Sequence, residues 1–254
     1  MENFGILKLY HSLKTIILMT KKKIAIITAR GGSKRILRKN IKLFNGFPII
    51  KYSIEAALQS DEFDEVMVST DDKEIAEIAQ KFGAKVPFLR SAKNSDDHSG
   101  TAEVIEEVIL EYRKENKNFH YLCCIYPTAP FVTSEIIKLS MSKLITHNAD
   151  CVLPVVKYSY PIQRSLKIEN GLVSMNWPEN YFARSQDLKP SFHDCGQFYC
   201  MNVESLIQQK KLFANKTIPI EVSELEMQDI DNEVDWKLAE LKYKLMQTQK
   251  NCED

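Results

Sequence analysis

From Lys23 to Val156 the chain alternates two hydrophobic rhythms, short apolar runs and stripes at helical spacing. That pattern predicts a mostly parallel sheet covered by helices on both faces. Lys23–Ile27 reads as a buried strand. Pro48 reads as the opening of a helix with Ile50, Ile54, Ala57 and Leu58 on one stripe. Glu65–Thr70 is the next strand, followed by a helix carrying Ile75, Ile78 and Phe82 and closed by Gly83. Lys85–Leu89 reads as a short strand that Pro87 confines to a sheet edge or an interrupted ladder. Val104, Ile105, Val108, Ile109 and Tyr112 mark another helix. Tyr121–Tyr126 is apolar throughout and predicts a central strand feeding the loop Pro127-Thr128-Ala129-Pro130. A helix with Ile136, Ile137, Ser140 and Leu144 precedes the strand Cys151–Val156.

Beyond Val156 the rhythm changes. Leu166–Met175 alternates around Asn170-Gly171, the signature of a two-residue hairpin, and predicts an inserted arm over about 157–194. The main pattern returns with a strand at Gly196–Met201, a short helix near Val203–Gln209 and a strand around Ile218–Val222. A last helix follows with Val234, Leu238, Leu241 and Leu245 on one stripe. The expected fold is a three-layer, doubly wound α/β domain over residues 21–254, with a mostly parallel sheet and an inserted β-hairpin arm.

Length and charge narrow the function. The 254 residues suffice for one sizeable core. Lys plus Arg equals Asp plus Glu at 34 each, which argues against a nucleic-acid partner and confines electrostatics to local patches. The six cysteines form no C-x-x-C pair, so buried thiols in a reducing cytoplasm are expected. Residues 1–20 contain the apolar piece Thr15–Met19, too short to span a bilayer, which takes roughly 20 apolar residues. They read as a dispensable extension, with Met19 as an alternative start.

Candidate chemistry concentrates after the strands, where ligands of open parallel sheets bind. After the first strand, Thr28–Asn40 joins the glycine pair Gly31-Gly32 to Arg30, Lys34, Arg38 and Lys39. Glycine lets a backbone approach a ligand and offer N–H groups, and the cations suit phosphate oxygens. The loop is neither a Walker loop nor G-x-G-x-x-G. Ser69-Thr70-Asp71-Asp72 suits a helix cap or a ligand contact equally. Arg90 with Asp96–Thr101 could form a nucleoside pocket or be solvated loop polarity. Before the last helix, Asp229-Ile230-Asp231 sets two carboxylates on one face of extended backbone with Ile230 toward the core, a pattern that could hold a hard cation. The alternative is that Asp231 caps the helix and Asp229 is solvated.

The loop ARGGSKRILRKNI, the VSTDD and YPTAP segments and the terminal DID together resemble the acylneuraminate cytidylyltransferase (CMP-sialic acid synthetase) family from about Lys23 to Met246. Tyr160–Arg164 and Ala183–Leu188, leading to His193–Tyr199, resemble its pseudaminic acid branch. The resemblance implies a Rossmann-like nucleotidyltransferase fold and attack by a sugar's anomeric hydroxyl on the α-phosphorus of CTP, releasing pyrophosphate. It implies Arg30, Gly31, Gly32, Ser33, Lys34, Lys39 and Asn40 on phosphates, Arg90 and Thr101 near the nucleoside, and Asp229 with Asp231 on Mg²⁺. Arg30, Lys34, Lys39 and the two aspartates would carry catalysis, without an obligatory strong base. It further implies a nine-carbon 2-keto sugar acid held by Tyr126, Gln163, Arg164, Arg184, His193 and Gln197. A homodimer would be built by the arm, with Arg164 and Arg184 reaching the neighbouring site. The product would feed cell-surface glycan or flagellin glycosylation. Sialic-acid enzymes carry arginine where His193 stands and glutamine where Tyr126 stands, so a differently substituted nonulosonate is favoured. Neuraminate, legionaminate and deoxyoctulosonate remain alternatives, as does a silent nucleotide-binding module. Thr28 and Leu37 replace the family's usual prolines, and Cys195 and Cys200 are departures in the HDxGQFY segment. His193 could meet the sugar carboxylate or satisfy a buried hydrogen bond.

Overall fold

The computed structural model describes residues 21–96 and 99–253, with side chains through residue 248. The expectations for residues 1–20 and for Asp97 and His98 lie outside the described residues. The elements are β1 (Lys23–Thr28), the hairpin β2 (Leu43–Phe44) and β3 (Phe47–Pro48), α1 (Ile50–Gln59), β4 (Glu65–Ser69), α2 (Lys73–Lys81), α3 (Thr101–Lys114), β5 (Tyr121–Ile125), α4 (Ser134–Thr146) and β6 (Cys151–Lys157). Then come the arm hairpin β7 (Leu166–Glu169) and β8 (Leu172–Met175), β9 (Phe192–Asp194), β10 (Phe198–Asn202), α5 (Val203–Gln209), β11 (Thr217–Glu221) and α6 (Glu233–Glu253).

The main sheet runs β11-β6-β10-β5-β1-β4, with β9 against β6. β1 lies parallel between β4 and β5, and β11 is parallel to β6, whereas β10 runs antiparallel to both β5 and β6. The period-two pleat sends Ile24 and Ile26 to one face and Ala25 and Ile27 to the other, and both faces are buried. The first face packs α3 and α5 through Ile105, Val108, Ile109, Tyr112, Val203 and Leu206. The second packs α1, α2 and α4 through residues such as Ile54, Ile75 and Met141. A third, smaller cluster joins Ile36 of the basic loop, Phe44, Ile49 and Phe131 to Ile230, Trp236, Ala239 and Met246. It seats both charged segments on one apolar base.

Three expectations change. The helix starts at Ile50, because Asn45-Gly46, both at positive φ, turn β2 back onto β3 and pair Pro48 with Leu43. The strand at Lys85–Leu89 is a single parallel bridge, Met67 to Lys85, since Pro87 has no N–H to extend it. On α6 the buried face is Trp236, Ala239 and Met246, with Tyr243 packed against it, while Val234, Leu238, Leu241 and Leu245 are exposed. The aromatic groups decide that rotation: Phe44 packs edge-on against Tyr52, Trp236 and Tyr243.

Candidate active site

The chain leaves β1 at Thr28 and enters an irregular loop up to a single 3₁₀ turn at Lys39–Ile41. This loop, the segment after β5 and the start of α3 enclose a cleft of about 240 Å³ beyond the carboxyl ends of the parallel strands. Arg30, Ser33, Lys34, Lys39, Asn40, Arg90, Thr101 and Tyr126 line it, so eight of the residues singled out in sequence converge there. Arg35, Ser99 and Thr128 also line it.

Several of these side chains are set by neighbours. Arg30 donates to the Asp96 carbonyl at 2.9 Å, and Asn40, almost wholly buried, donates to the Arg30 carbonyl at 2.8 Å. Arg90 is only 8 % exposed and donates to the Ser69 hydroxyl and carbonyl at 3.1 and 2.6 Å. Burial lowers its pKa, with Asp71 and Glu107 opposing. Thr101 and Tyr126 share a hydroxyl hydrogen bond of 3.0 Å.

The carboxylate segment meets the basic loop directly. Lys39 donates to the Ile230 carbonyl at 2.6 Å, and Arg35 pairs with Asp231 at 2.8 Å. Ile230 is buried in the third apolar cluster, so the alternation expected of Asp229-Ile230-Asp231 holds. Burial lowers the Lys39 pKa, opposed by Asp231 and Asp229. Asp229 opens to solvent on one side, but loss of water on the other and repulsion from Asp231 raise its pKa against the pull of Lys39. This pair is where a hard cation could be held. Asp231 is not a helix cap, because Asn232 accepts from the N–H groups of Val234 and Asp235.

Other residues take different places. The Gly31 N–H donates to Asp71 at 2.8 Å instead of facing the cleft, and a Cβ at Gly31 would meet the Asp72 carboxylate at 2.7 Å. Gly31 therefore serves the loop's packing on Asp72, and Gly32, exposed with open space around it, does not line the cleft. Arg38, at φ 54°, bridges Asp72 and also reaches Glu74 at 2.5 Å, so its charge is committed away from the cleft. Asp72 accepts from Ile75 N–H as the cap of α2, and none of Ser69, Thr70, Asp71 and Asp72 lines the cleft. Gln197 is buried and donates to the Glu226 carbonyl at 2.8 Å. His193 packs against Tyr158 with the rings tilted, centroids 4.8 Å apart, in a separate pocket of about 250 Å³ with Lys157, Glu224 and Lys242. Gln163, Arg164 and Arg184 stay in the arm. Gln163 bonds the Lys189 carbonyl and Arg184 pairs with Asp187.

Sequence reasoning missed Arg35, Lys157 and Lys242. Arg35 lay inside the basic loop, but nothing in its spacing separated it from Arg38. Lys242 sits among evenly spaced charges of α6, where a cation reads as solvated surface.

Residues 24–244 match the family model described as Cytidylyltransferase. The chain is 39 % identical over 225 residues to a pseudaminic acid cytidylyltransferase of Campylobacter jejuni, covering 88 % of this chain and 97 % of that one. It is 33 % identical to a CMP-N,N'-diacetyllegionaminic acid synthase of Legionella pneumophila, covering 85 % and 94 %. In fold it is similar to a CMP:2-keto-3-deoxy-manno-octonic acid synthetase solved with CTP, at a TM-score of 0.65 and 17 % identity over 90 % of this chain and 100 % of that one. With the basic loop and the carboxylate segment meeting at Lys39, the chain belongs to the cytidylyltransferase family of nucleotidyltransferases.

Proposed function

We propose that this protein activates pseudaminic acid, joining it to CMP from CTP with release of pyrophosphate. The contact that carries the reading is Lys39 on the Ile230 carbonyl: Lys39 lines the cleft at the end of the parallel strands, and its bond holds the segment of Asp229 and Asp231, which do not line the cleft themselves, against the cleft's cationic loop. The choice of sugar rests on the 39 % identical relative and on the sequence resemblance, which implies that His193 and Tyr126 stand on the sugar side.

Arg30, Ser33, Lys34 and Lys39 would hold the triphosphate, with Asn40 fixing the Arg30 backbone. Gly31 and Gly32 would shape that loop. Arg90 and Thr101 would seat the nucleoside, and Tyr126 would border the sugar. A carboxylate of the sugar acid would meet His193, Lys157 and Lys242 in their pocket, which Glu224 also lines and where the Lys242 amine already donates to the carbonyls of Glu224 and Met227. Phosphoryl-type transfer needs mainly alignment and charge neutralisation, which this set provides.

Asp229 and Asp231 would hold Mg²⁺. Their mutual repulsion gives the pair reason to take a cation. Among the described residues no cluster of three or more His, Cys, Asp or Glu forms a cage, so the remaining ligands would be phosphate oxygens and water, as is usual for Mg²⁺. When bound, the ion would offset negative charge on the phosphates.

The arm would join two copies and offer Gln163, Arg164 and Arg184 to the neighbour's sugar. Ile168 at 74 % and Phe182 at 91 % exposure are apolar groups a second copy could cover. A cytoplasmic setting suits the five buried free thiols Cys123, Cys124, Cys151, Cys195 and Cys200.

The test is pyrophosphate release from CTP and Mg²⁺ with pseudaminate, N-acetylneuraminate, N,N'-diacetyllegionaminate or deoxyoctulosonate. The highest kcat/KM is expected for pseudaminate. A higher value for another sugar overturns the specificity, and no release with any of the four overturns the enzyme.

A further inference from the structure

The carboxylates sit on a segment with little backbone support. Val222 N–H still bonds the Val155 carbonyl at 2.9 Å, and Ser223–Glu226 forms one capped turn. Among the described residues, no backbone-to-backbone hydrogen bond then holds residues 227–231. Extended chain without a ladder is normally mobile, because each residue keeps about 1–2 kcal/mol of conformational entropy that nothing offsets.

Side chains from elsewhere in the fold hold the segment's two ends: at the far end Lys39 donates to the Ile230 carbonyl at 2.6 Å and the Asp235 carboxylate accepts from the Asp231 N–H at 2.9 Å, and at the near end Lys242 and Gln197 grip the turn that leads in. Lys242 on α6 donates to the carbonyls of Glu224 and Met227, both at 2.9 Å. Gln197, at the entrance of β10 and only 3 % exposed, donates to the Glu226 carbonyl at 2.8 Å. Neither donor faces the nucleotide cleft. Gln197 is fixed in turn: its carbonyl accepts from Tyr126 N–H at 2.8 Å, so one residue ties the cleft's tyrosine to the carboxylate segment. Loss of water lowers the Lys242 pKa, as expected for an amine half-buried against carbonyls.

We propose that Gln197 and Lys242 are positioning residues that set where Asp229 and Asp231 stand, and through them the affinity for the divalent cation. This rests on the reading of Asp229 and Asp231 as metal-holding groups. Gln197 thereby acts on the segment's backbone and not on the sugar. Groups that orient metal ligands typically alter metal affinity 10–100-fold when removed.

The test is Mn²⁺ binding followed by electron paramagnetic resonance, with CTP present and sugar absent so that nothing turns over. Native protein is compared with Lys242→Met, Gln197→Met, Lys242→Arg and Asp229→Asn, each first checked by thermal melting. The two methionine variants should raise the Mn²⁺ dissociation constant about 10-fold or more. Their CTP affinity without divalent ions should stay unchanged, and Lys242→Arg, which keeps donors, should recover most of the loss. If Asp229→Asn abolishes Mn²⁺ uptake but both methionine variants stay within about twofold of native, the positioning role is overturned and the metal reading stands. If Asp229→Asn binds Mn²⁺ as native does, the metal reading itself fails and takes this proposal with it. Should Lys242→Met not fold, Gln197→Met decides alone by the same thresholds.

Discussion

The cleft and the arm are built on opposite terms. Around the cleft the charged groups already answer one another: Arg35 meets Asp231, Lys39 meets the Ile230 carbonyl, Arg38 meets Asp72 and Arg90 meets Ser69. Beneath them Ile36 and Ile230 share one apolar cluster. In the arm, polar groups bond locally, as Asn176 does to Ser165 and Arg184 to Asp187, while Leu166, Ile168, Leu172 and Phe182 face outward. No residue from 158 to 191 enters any of the three apolar clusters. The cleft is therefore preorganised by its own chain, whereas the arm's apolar groups find no cover within it. Substitutions in the cleft should damage chemistry and leave assembly intact, and substitutions at the arm's apolar face should do the reverse.

The largest effect is expected at the carboxylate pair. Asp229→Ala or Asp231→Ala should lower kcat by about 10³-fold, the scale of losing a principal electrostatic group in a site that works by charge neutralisation. Sedimentation should show the native oligomeric state. Lys39→Met should cost about 10²-fold by the same reasoning. Pyrophosphate release gives the rates, and a loss below tenfold for both aspartate variants would remove the pair from the reaction.

The arm comes next. Ile168→Asp and Phe182→Asp each place a charge on the exposed apolar face, where burial of one such side chain is worth about 1.5–3 kcal/mol. If the arm joins two copies as proposed, light scattering should show these variants as monomers at concentrations where the native protein associates. The KM for sugar should rise about tenfold, and that for CTP should hold. An unchanged mass for both variants would break the contrast between the two regions.

The residues that could be read in advance share a property: their pattern is set within one element. The buried strands and most helices follow from periodicity, and the Asp229-Ile230-Asp231 alternation follows from extended geometry. The errors arise where tertiary neighbours decide. Asn45-Gly46 carried a hairpin signal as strong as Asn170-Gly171, yet the two-residue strands beside it are too short to show alternation. On α6 two apolar stripes compete, and only the aromatic contacts of Phe44 with Trp236 and Tyr243 select the inner one. Arg38 and Lys39 are adjacent cations in sequence, but the left-handed turn at Arg38 sends one to Asp72 and the other to Ile230.

That divergence supports the smallest prediction. Asp72 caps α2 and accepts from Arg38, and the Arg38 bond holds its carboxyl below the usual carboxylate range. Asp72→Ala should cost about 1 kcal/mol from the lost cap. The exposed side of the ion pair adds less than that. Because the folded pKa is depressed, the contribution is fully present above the ordinary carboxyl pKa of about 4 and is lost as pH falls through the lower folded value. Urea melts of native and Asp72→Ala protein should therefore differ by a constant amount from pH 6 to pH 8 and converge in acid. If the difference persists undiminished well below that range, the carboxylate's charge is not what braces the loop. The side chain would then act through its packing on Gly31, which approaches so closely that a Cβ there has no room.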